Sequence, residues 1–386
     1  MIKIISKILS ITLVLIFIFT LTPAPAAAWE QGKMNTHEEI NRQAVSRFFT
    51  TYASNTKYVN AAIDRSHPYL GPKVTSSSLL ERDHVVVPGT FSFEEWVAHG
   101  GYSADESHIW ASIRHFYDPL AVSGVSQLTD HSWIHSNLYD AISAKAWAFE
   151  DASNPYRWEK ALEYYKRAME ITSDSKITVV PGTGFRDPDI MVKSPAEARD
   201  AYLGKAFRAL GETMHMMADV TQPAHVRNDS HPTGDLDPLE SVITKENVKM
   251  VKNSPVDPVI DGQINTAATA ADMYEKIALF TNSNFYTDDT IYNKASGVNP
   301  RNGEKPYPQP QFNDFILDKL SSVKTYVKYF NGKPVPMIQE TYLSYKLGSL
   351  WQSYQVPSSF APAQAEVLIP IAIKANSKLI NLFFPT

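Results

Sequence analysis

Apolar residues recur at three- and four-residue intervals through most of the chain, and strand-like alternation is scarce. Residues 38–51 carry Ile40, Ala44, Phe48 and Phe49 near one side and predict a helix. Residues 130–150 and 157–172 predict two more, the second with a stripe of Ala161, Leu162, Tyr165, Ala168 and Met169. Ser194-Pro195-Ala196-Glu197 reads as a helix start: Ser caps, Pro takes the first position, where an N–H is not needed, and Glu lies in the first turn. The next proline is Pro223, so this helix is free to run to about Val220. Helical spacing also covers about residues 266–281, 312–330, 338–355 and 363–384, the last with a kink or restart expected at Pro370. Between them lie a Ser/Pro/Gly-bearing stretch over 66–101, where Val85-Val86-Val87 is too short to assign, a loop over 174–193, and a Pro-rich connector over 305–310. No repeat is visible, and the expected fold is all-α, a multi-helix domain with long loops.

The first 28 residues stand apart. Lys3 and Lys7 precede an apolar run over 8–21, and Pro25-Ala26-Ala27-Ala28 has the small-residue spacing of a signal-peptide cleavage site. The run is shorter than the roughly 18 to 20 residues a membrane-spanning helix needs. We therefore expect a secretory signal peptide over 1–28, cut before Trp29, and a secreted protein with a single helical domain over 29–386. Cysteine is absent, which excludes a disulfide framework, a Cys-based zinc finger, an iron-sulfur cluster and a cysteine nucleophile. The formal net charge of −5 argues against a large basic footprint for duplex nucleic acid, and removal of Lys3 and Lys7 makes the mature chain more acidic.

All eleven histidines lie at or before His231. Imidazole chemistry therefore belongs to the first two thirds of the chain, and the helices expected in 241–386 read as scaffold. The most informative segment is Leu210-Gly-Glu-Thr-Met-His-Met-Met-Ala-Asp-Val-Thr-Gln-Pro-Ala-His225. His215 and Asp219 are four apart, so they project from one helix face with Cβ atoms about 6 Å apart and can share a metal. The helix must end near Pro223, and the turning chain can return His225 beside Asp219. As the first residue of a mature chain, Trp29 would offer an α-amine and a carbonyl that chelate together. The ordinary amine pKa of about 8 is low enough for a cation to displace its proton. His37 follows in Thr36-His-Glu-Glu-Ile, at a helix start. Asp105, ending Gly101-Tyr-Ser-Ala-Asp, and His115, opening His-Phe-Tyr-Asp-Pro119, are donors suited to zinc. His108, His131 and His135 lie nearby, and the spacing of the last two fits a polar helix face.

In chain order these segments resemble the zinc-dependent phospholipase C family, whose relatives include the single-strand-specific zinc nucleases. The likeness runs from Trp29 to Glu240, and residues 366–384 resemble the closing helix of some members. It implies a mostly helical protein with three zinc ions in a cleft. One zinc would be held by Asp105, His115, His215 and Asp219. A second would use the Trp29 amine and carbonyl and His37, with Asp219 as a bridge; a third would use His225 and Glu240. In the family a His precedes that Glu by four residues, whereas here the position is Leu236. His231, Asp235 or Asp237 could supply the missing ligand. The implied chemistry is hydrolysis of a phosphodiester by a zinc-activated water, with Asp105 assisting the water as well as binding metal. The His115-Phe-Tyr-Asp-Pro119 segment and the acidic chain favour a phospholipase C, which meets phospholipid transiently at a membrane surface and releases diacylglycerol and a phosphorylated head group. The alternatives are a single-strand nuclease or 3′-nucleotidase, and a non-catalytic secreted scaffold; no protein partner is implied. Some relatives dock on membranes through a C-terminal β-sandwich. Residues 241–386 are expected to lack the strands for one, which leaves lipid contact to loops of the catalytic domain.

Overall fold

The computed structural model describes residues 36–52, 63–75, 85–105, 113–121, 126–128, 142–184, 186–229, 237–291, 308–310, 316–317, 324–344 and 350–384. The expected signal peptide, Trp29, His108, His131, His135, His231, Asp235 and Leu236 lie outside them.

Helix α1 spans Thr36–Tyr52. The antiparallel strands β1 (Tyr69–Thr75) and β2 (Val85–Phe91) follow, and β2 takes up the valine run that spacing left unassigned. Ser92 and Glu95 form a reciprocal capping box that starts α2 (Phe93–Ser103). Helices α3 (Ala144–Phe149) and α4 (Trp158–Glu170) come next, then the short pair β3 (Val179–Val180) and β4 (Ile190–Met191). Helix α5 (Pro195–Asp219) begins where Ser194 and Pro195 foretell it, with the Ser194 hydroxyl accepting from the Glu197 amide. The short helices α6 (Pro223–Val226), α7 (Pro238–Val242), α8 (Lys245–Val251) and α9 (Pro258–Thr266) lead to α10 (Ala270–Asn284). Strands β5 (Ile316–Leu317), β6 (Lys324–Phe330), β7 (Lys333–Ser344) and β8 (Leu350–Gln355) precede the closing helix α11 (Ala361–Phe383).

The fold is mostly helical, and α5 is its axis. Every residue from Ala201 to Asp219 is buried, because α2, α4, α11 and β1 pack around this helix. α2 and α5 touch backbone to backbone. A Cβ on Gly100 would lie 2.5 Å from the Gly211 Cα, and one on Gly211 would lie 2.3 Å from the Val97 carbonyl oxygen, so neither position accepts a larger residue. Buried amides then tie four helices together. Asn41 donates to the carbonyls of Val97 (3.0 Å) and Gly211 (3.1 Å), and Asn376 donates to Asn41 Oδ1 (3.1 Å) and to the Met214 carbonyl (3.0 Å).

The C-terminal third corrects the all-α expectation. Residues read as helices over 312–330 and 338–355 instead supply the antiparallel sheet β5-β6-β7-β8, so the scaffold of 241–386 is partly β. The physical reason is a bulge at Tyr326/Val327 and an irregular burial rhythm. Val327 and Phe330, and likewise Val335 and Ile338, are buried three positions apart, a spacing that imitates a helix. Phe330 stacks on Phe285 with ring centres 5.3 Å apart, which seats the sheet beside the end of α10. Strands are therefore present in 241–386, and their absence no longer assigns lipid contact to loops. The expected restart at Pro370 is also absent. α11 continues through it because the surrounding residues 367–373 are all buried, and packing offsets the ~3 kcal/mol that an interior proline costs. Among the described residues no helix is long and apolar enough to cross a membrane.

Candidate metal centre

Lys205, Arg208, Glu212, His215 and Asp219 follow one another at intervals of three, four, three and four residues, and so form one stripe along α5. All five are buried. His215 and Asp219, at its C-terminal end, meet residues from three other segments. Asp105 arrives from the turn after α2, His115 from a single 3-10 turn over Ile113–His115, and His37 from the first turn of α1.

Four atoms converge: Asp105 Oδ1, His115 Nδ1, His215 Nε2 and Asp219 Oδ2. His215 Nε2 lies 3.3 Å from Asp105 Oδ1, 3.1 Å from His115 Nδ1 and 3.5 Å from Asp219 Oδ2. His115 Nδ1 lies 3.4 Å from Asp105 Oδ1 and 2.9 Å from Asp219 Oδ2. A tetrahedral ion with bonds of about 2.0 to 2.1 Å sets its ligands roughly 3.3 Å apart, which is the scale of these separations. Asp219 turns its other oxygen, Oδ1, to His37 Nε2 at 3.4 Å, as a bridging carboxylate would. The His37 ring stacks on that of His215 with centres 3.7 Å apart.

Hydrogen bonding marks this cluster as incomplete. Among the described residues, none of the carboxylate oxygens of Asp105 and Asp219, and neither ring nitrogen of His37, has a hydrogen-bond partner of acceptable geometry, although all are buried. Buried polar atoms are rarely left so, and a divalent cation would satisfy them together. The outer contacts orient the rings. The Gly101 carbonyl, brought in by the Gly100–Gly211 crossing, accepts from His215 Nδ1 at 2.8 Å, which turns Nε2 into the cluster. The His115 carbonyl does the same for His225 Nδ1 at 2.9 Å.

The electrostatics agree. Burial would raise both carboxyls, but the imidazoles around them outweigh it and hold Asp105 and Asp219 below the usual carboxylate range. Burial and the neighbouring His215 push His37 down to about 3, so it is a neutral donor. Burial also works against a proton on His215, yet the charges of Asp105 and Asp219 hold its pKa up at about 9 in the metal-free protein. A cation would displace that proton on binding. Two groups of buried side chains, His37 with Asp105 and His215, and His115 with His215 and Asp219, each bring ligand atoms within 4.8 Å of one another and could hold a metal ion.

The remaining expected ligands fall in a neighbouring position. His225 faces Glu240 rather than returning to Asp219: its Nε2 is 3.1 Å from Glu240 Oε1, and its ring centre is 6.3 Å from that of His115. Phe116 stacks on His225 at 4.6 Å. Asp237 caps α7, its Oδ1 accepting from the Leu239 amide and from Gln222 Nε2, each at 2.8 Å, and so supports the helix that carries Glu240. Sequence reasoning missed Gly101, whose contribution is a backbone carbonyl and leaves no side-chain signature. It also passed over Lys205, Arg208 and Glu212, whose alternating spacing with His215 and Asp219 was the signal available.

No protein-family model, curated protein or solved structure matches the chain.

Proposed function

We propose that the protein is a secreted zinc-dependent phosphoric diester hydrolase of the phospholipase C type. The observation that carries this reading is the convergence of Asp105, His115, His215 and Asp219 at ligand spacing around carboxylate oxygens that no hydrogen bond from the described residues satisfies. These four would hold one ion, and His37 with Asp219 Oδ1 would share in a second. His225 and Glu240 would contribute to a third. Bound there, such ions supply Lewis acidity toward a phosphoryl oxygen and lower the pKa of a water toward neutrality.

The chain's own residues do the rest. Asp105 and Asp219 present buried negative charge that selects cations. The Gly101 and His115 carbonyls fix which nitrogen of His215 and His225 faces inward. Asp105 sits in a turn rather than inside a helix, and its Oδ2, which has no hydrogen-bond partner among the described residues, would take a proton from an attacking water.

Protein recovered through a secretory host, and so carrying whatever N-terminus processing leaves, tests the reading. It would be assayed side by side on phosphatidylcholine vesicles and on single-stranded RNA, each with and without chelator. The expected result is chelator-sensitive release of the phosphorylated head group alone. Cleavage of RNA alone would move the protein to the nuclease class, and bound metal without turnover on either would leave a non-catalytic scaffold. A version with one extra residue before Trp29 should lose an ion if the Trp29 amine is a ligand, and undiminished metal content would remove that assignment.

A further inference from the structure

One turn before His215 on the α5 stripe, Glu212 is 3% exposed and fully engaged. Its Oε1 accepts from Ser103 Oγ at 2.9 Å and from Arg208 Nε at 3.1 Å, and its Oε2 accepts from Arg186 Nη2 at 3.0 Å. Arg208, with no exposed surface, also directs Nε at Ser103 Oγ (3.3 Å) and Nη1 at the Pro72 carbonyl (2.8 Å), and its guanidinium lies 3.9 Å over the Tyr156 ring. Arg186 Nη2 reaches the Ser103 carbonyl at 3.4 Å. Ser103 is therefore gripped at both its hydroxyl and its carbonyl. The hydroxyl accepts from an arginine and donates to a carboxylate, which leaves it one orientation.

Ser103 is the last residue of α2, and Asp105 follows two residues later in a turn. The i,i+4 pair Arg208–Glu212 needs no serine to neutralise itself, yet both members are turned onto Ser103. We propose that Ser103, Glu212 and Arg208 form a positioning cluster that fixes Asp105 in the metal cage, with none of the three acting as a ligand. This rests on the reading of Asp105, His115, His215 and Asp219 as a metal site. Asp105 Oδ1 stands 3.3 to 3.4 Å from two imidazole nitrogens, so a small drift of the α2 terminus would spoil its share of the cage. Outer contacts of this kind typically carry about 10- to 100-fold in metal affinity.

The test is a cobalt(II) titration of the metal-stripped full protein, followed by visible absorption, which reports coordination geometry as well as affinity. In Ser103→Ala the cobalt bound with Asp105 should bind about 10- to 100-fold more weakly, with an altered absorption band. Ser194→Ala, which removes the cap at the N-terminus of α5, far from the cluster, should lower the thermal midpoint and leave affinity and spectrum as in wild type. Wild-type-like cobalt binding by Ser103→Ala would overturn the proposal. So would equal weakening by Ser194→Ala, because general loss of stability would then account for the effect. Wild-type protein that binds no cobalt would overturn the underlying metal reading instead. If Ser103→Ala does not fold, Glu212→Gln carries the test. It keeps an oxygen for Ser103 but loses the charge that holds both arginines, so weaker binding with an altered band is expected, and unchanged binding would overturn the proposal.

Discussion

Lys205 and Asp219 stand on one stripe of α5, both wholly buried, in different company. Lys205 Nζ meets Asp187 Oδ1 at 2.7 Å and the carbonyls of Pro181 (2.9 Å) and Pro188 (3.3 Å), and Asp187 Oδ2 accepts from the Tyr164 hydroxyl at 2.9 Å. Arg208 and Glu212 likewise find each other and further partners. In this N-terminal half of the stripe every charge has a counter-charge from the protein. In the C-terminal half two ionised carboxylates face imidazoles, and among the described residues no Lys or Arg pairs with them. Burial of charge is costly in both halves; the first is balanced pair by pair, whereas in the second the protonated His215 of the metal-free protein stands against two carboxylates. The comparison teaches that burial and residue type do not distinguish a structural charge from a metal ligand, whereas the bookkeeping of partners does.

The largest expected effect lies in the unsatisfied half. Asp219→Ala removes the oxygens facing His115, His215 and His37 at once. Metal analysis should show loss of more than one ion, and turnover should fall about 10³-fold or more, as expected when several kcal/mol of charge stabilisation are withdrawn. Full metal content in this variant would end the reading of the C-terminal half as a metal site. In the satisfied half, Arg208→Met removes one of the two arginines, each 3.0 Å away, that balance the buried Glu212. It should cost about 3–5 kcal/mol in urea unfolding, and Arg208→Met/Glu212→Leu should recover much of the loss. A double variant no more stable than the single would show that Arg186 and Ser103, which also hold Glu212, need its carboxylate as much as Arg208 does.

Acid separates the regions in another way. His99 accepts from the Val74 amide at Nε2 (3.0 Å), so it must be neutral, and burial with the charges of Arg208 and Lys73 lowers its pKa to about 3. Its folded pKa lies below the unfolded value of about 6.5, so its contribution to stability is present above that value and is lost as pH falls toward 3. His37 is lowered in the same sense, whereas the raised pKa of His215 affects stability only as pH rises from about 6.5 through about 9. Unfolding midpoints between pH 6 and 4.5 should therefore decline in the wild type. In His99→Gln the slope should be smaller by about 1.4 kcal/mol per pH unit, the value of one proton. An unchanged slope would mean that His99 is protonated in the folded protein.

What the sequence made legible follows from where the signals are local. The start of α5 was written in Ser194 and Pro195, and the face shared by His215 and Asp219 in their spacing. Asp105, His115 and His37 were reached through the family resemblance, and the structure brings them to that face. Arg208 and Glu212 were hidden because an i,i+4 charge pair is ordinarily read as a solvated helix face. Asp187 lies in a loop rich in Gly and Pro, and nothing local announces that it will meet Lys205. The sheet was missed because the bulge broke its alternation, although Asn331-Gly332 between two apolar stretches is a strong hairpin signal.

That hairpin supplies the smallest expected effect and a control on the whole comparison. Phe330 pairs with Lys333, which leaves Asn331 and Gly332 as a two-residue turn with φ of 52° and 77°. Asn tolerates this left-handed conformation better than other residues with a side chain, and its Nδ2 also donates to the Pro255 carbonyl at 2.7 Å. Asn331→Ala should cost about 1 kcal/mol in urea unfolding. The change touches neither half of the α5 stripe, so metal content and the cobalt spectrum should match the wild type. If metal content fell along with this distant loss of stability, occupancy would be following the stability of the whole protein. The contrast between the two halves would then say nothing particular about where the metal binds.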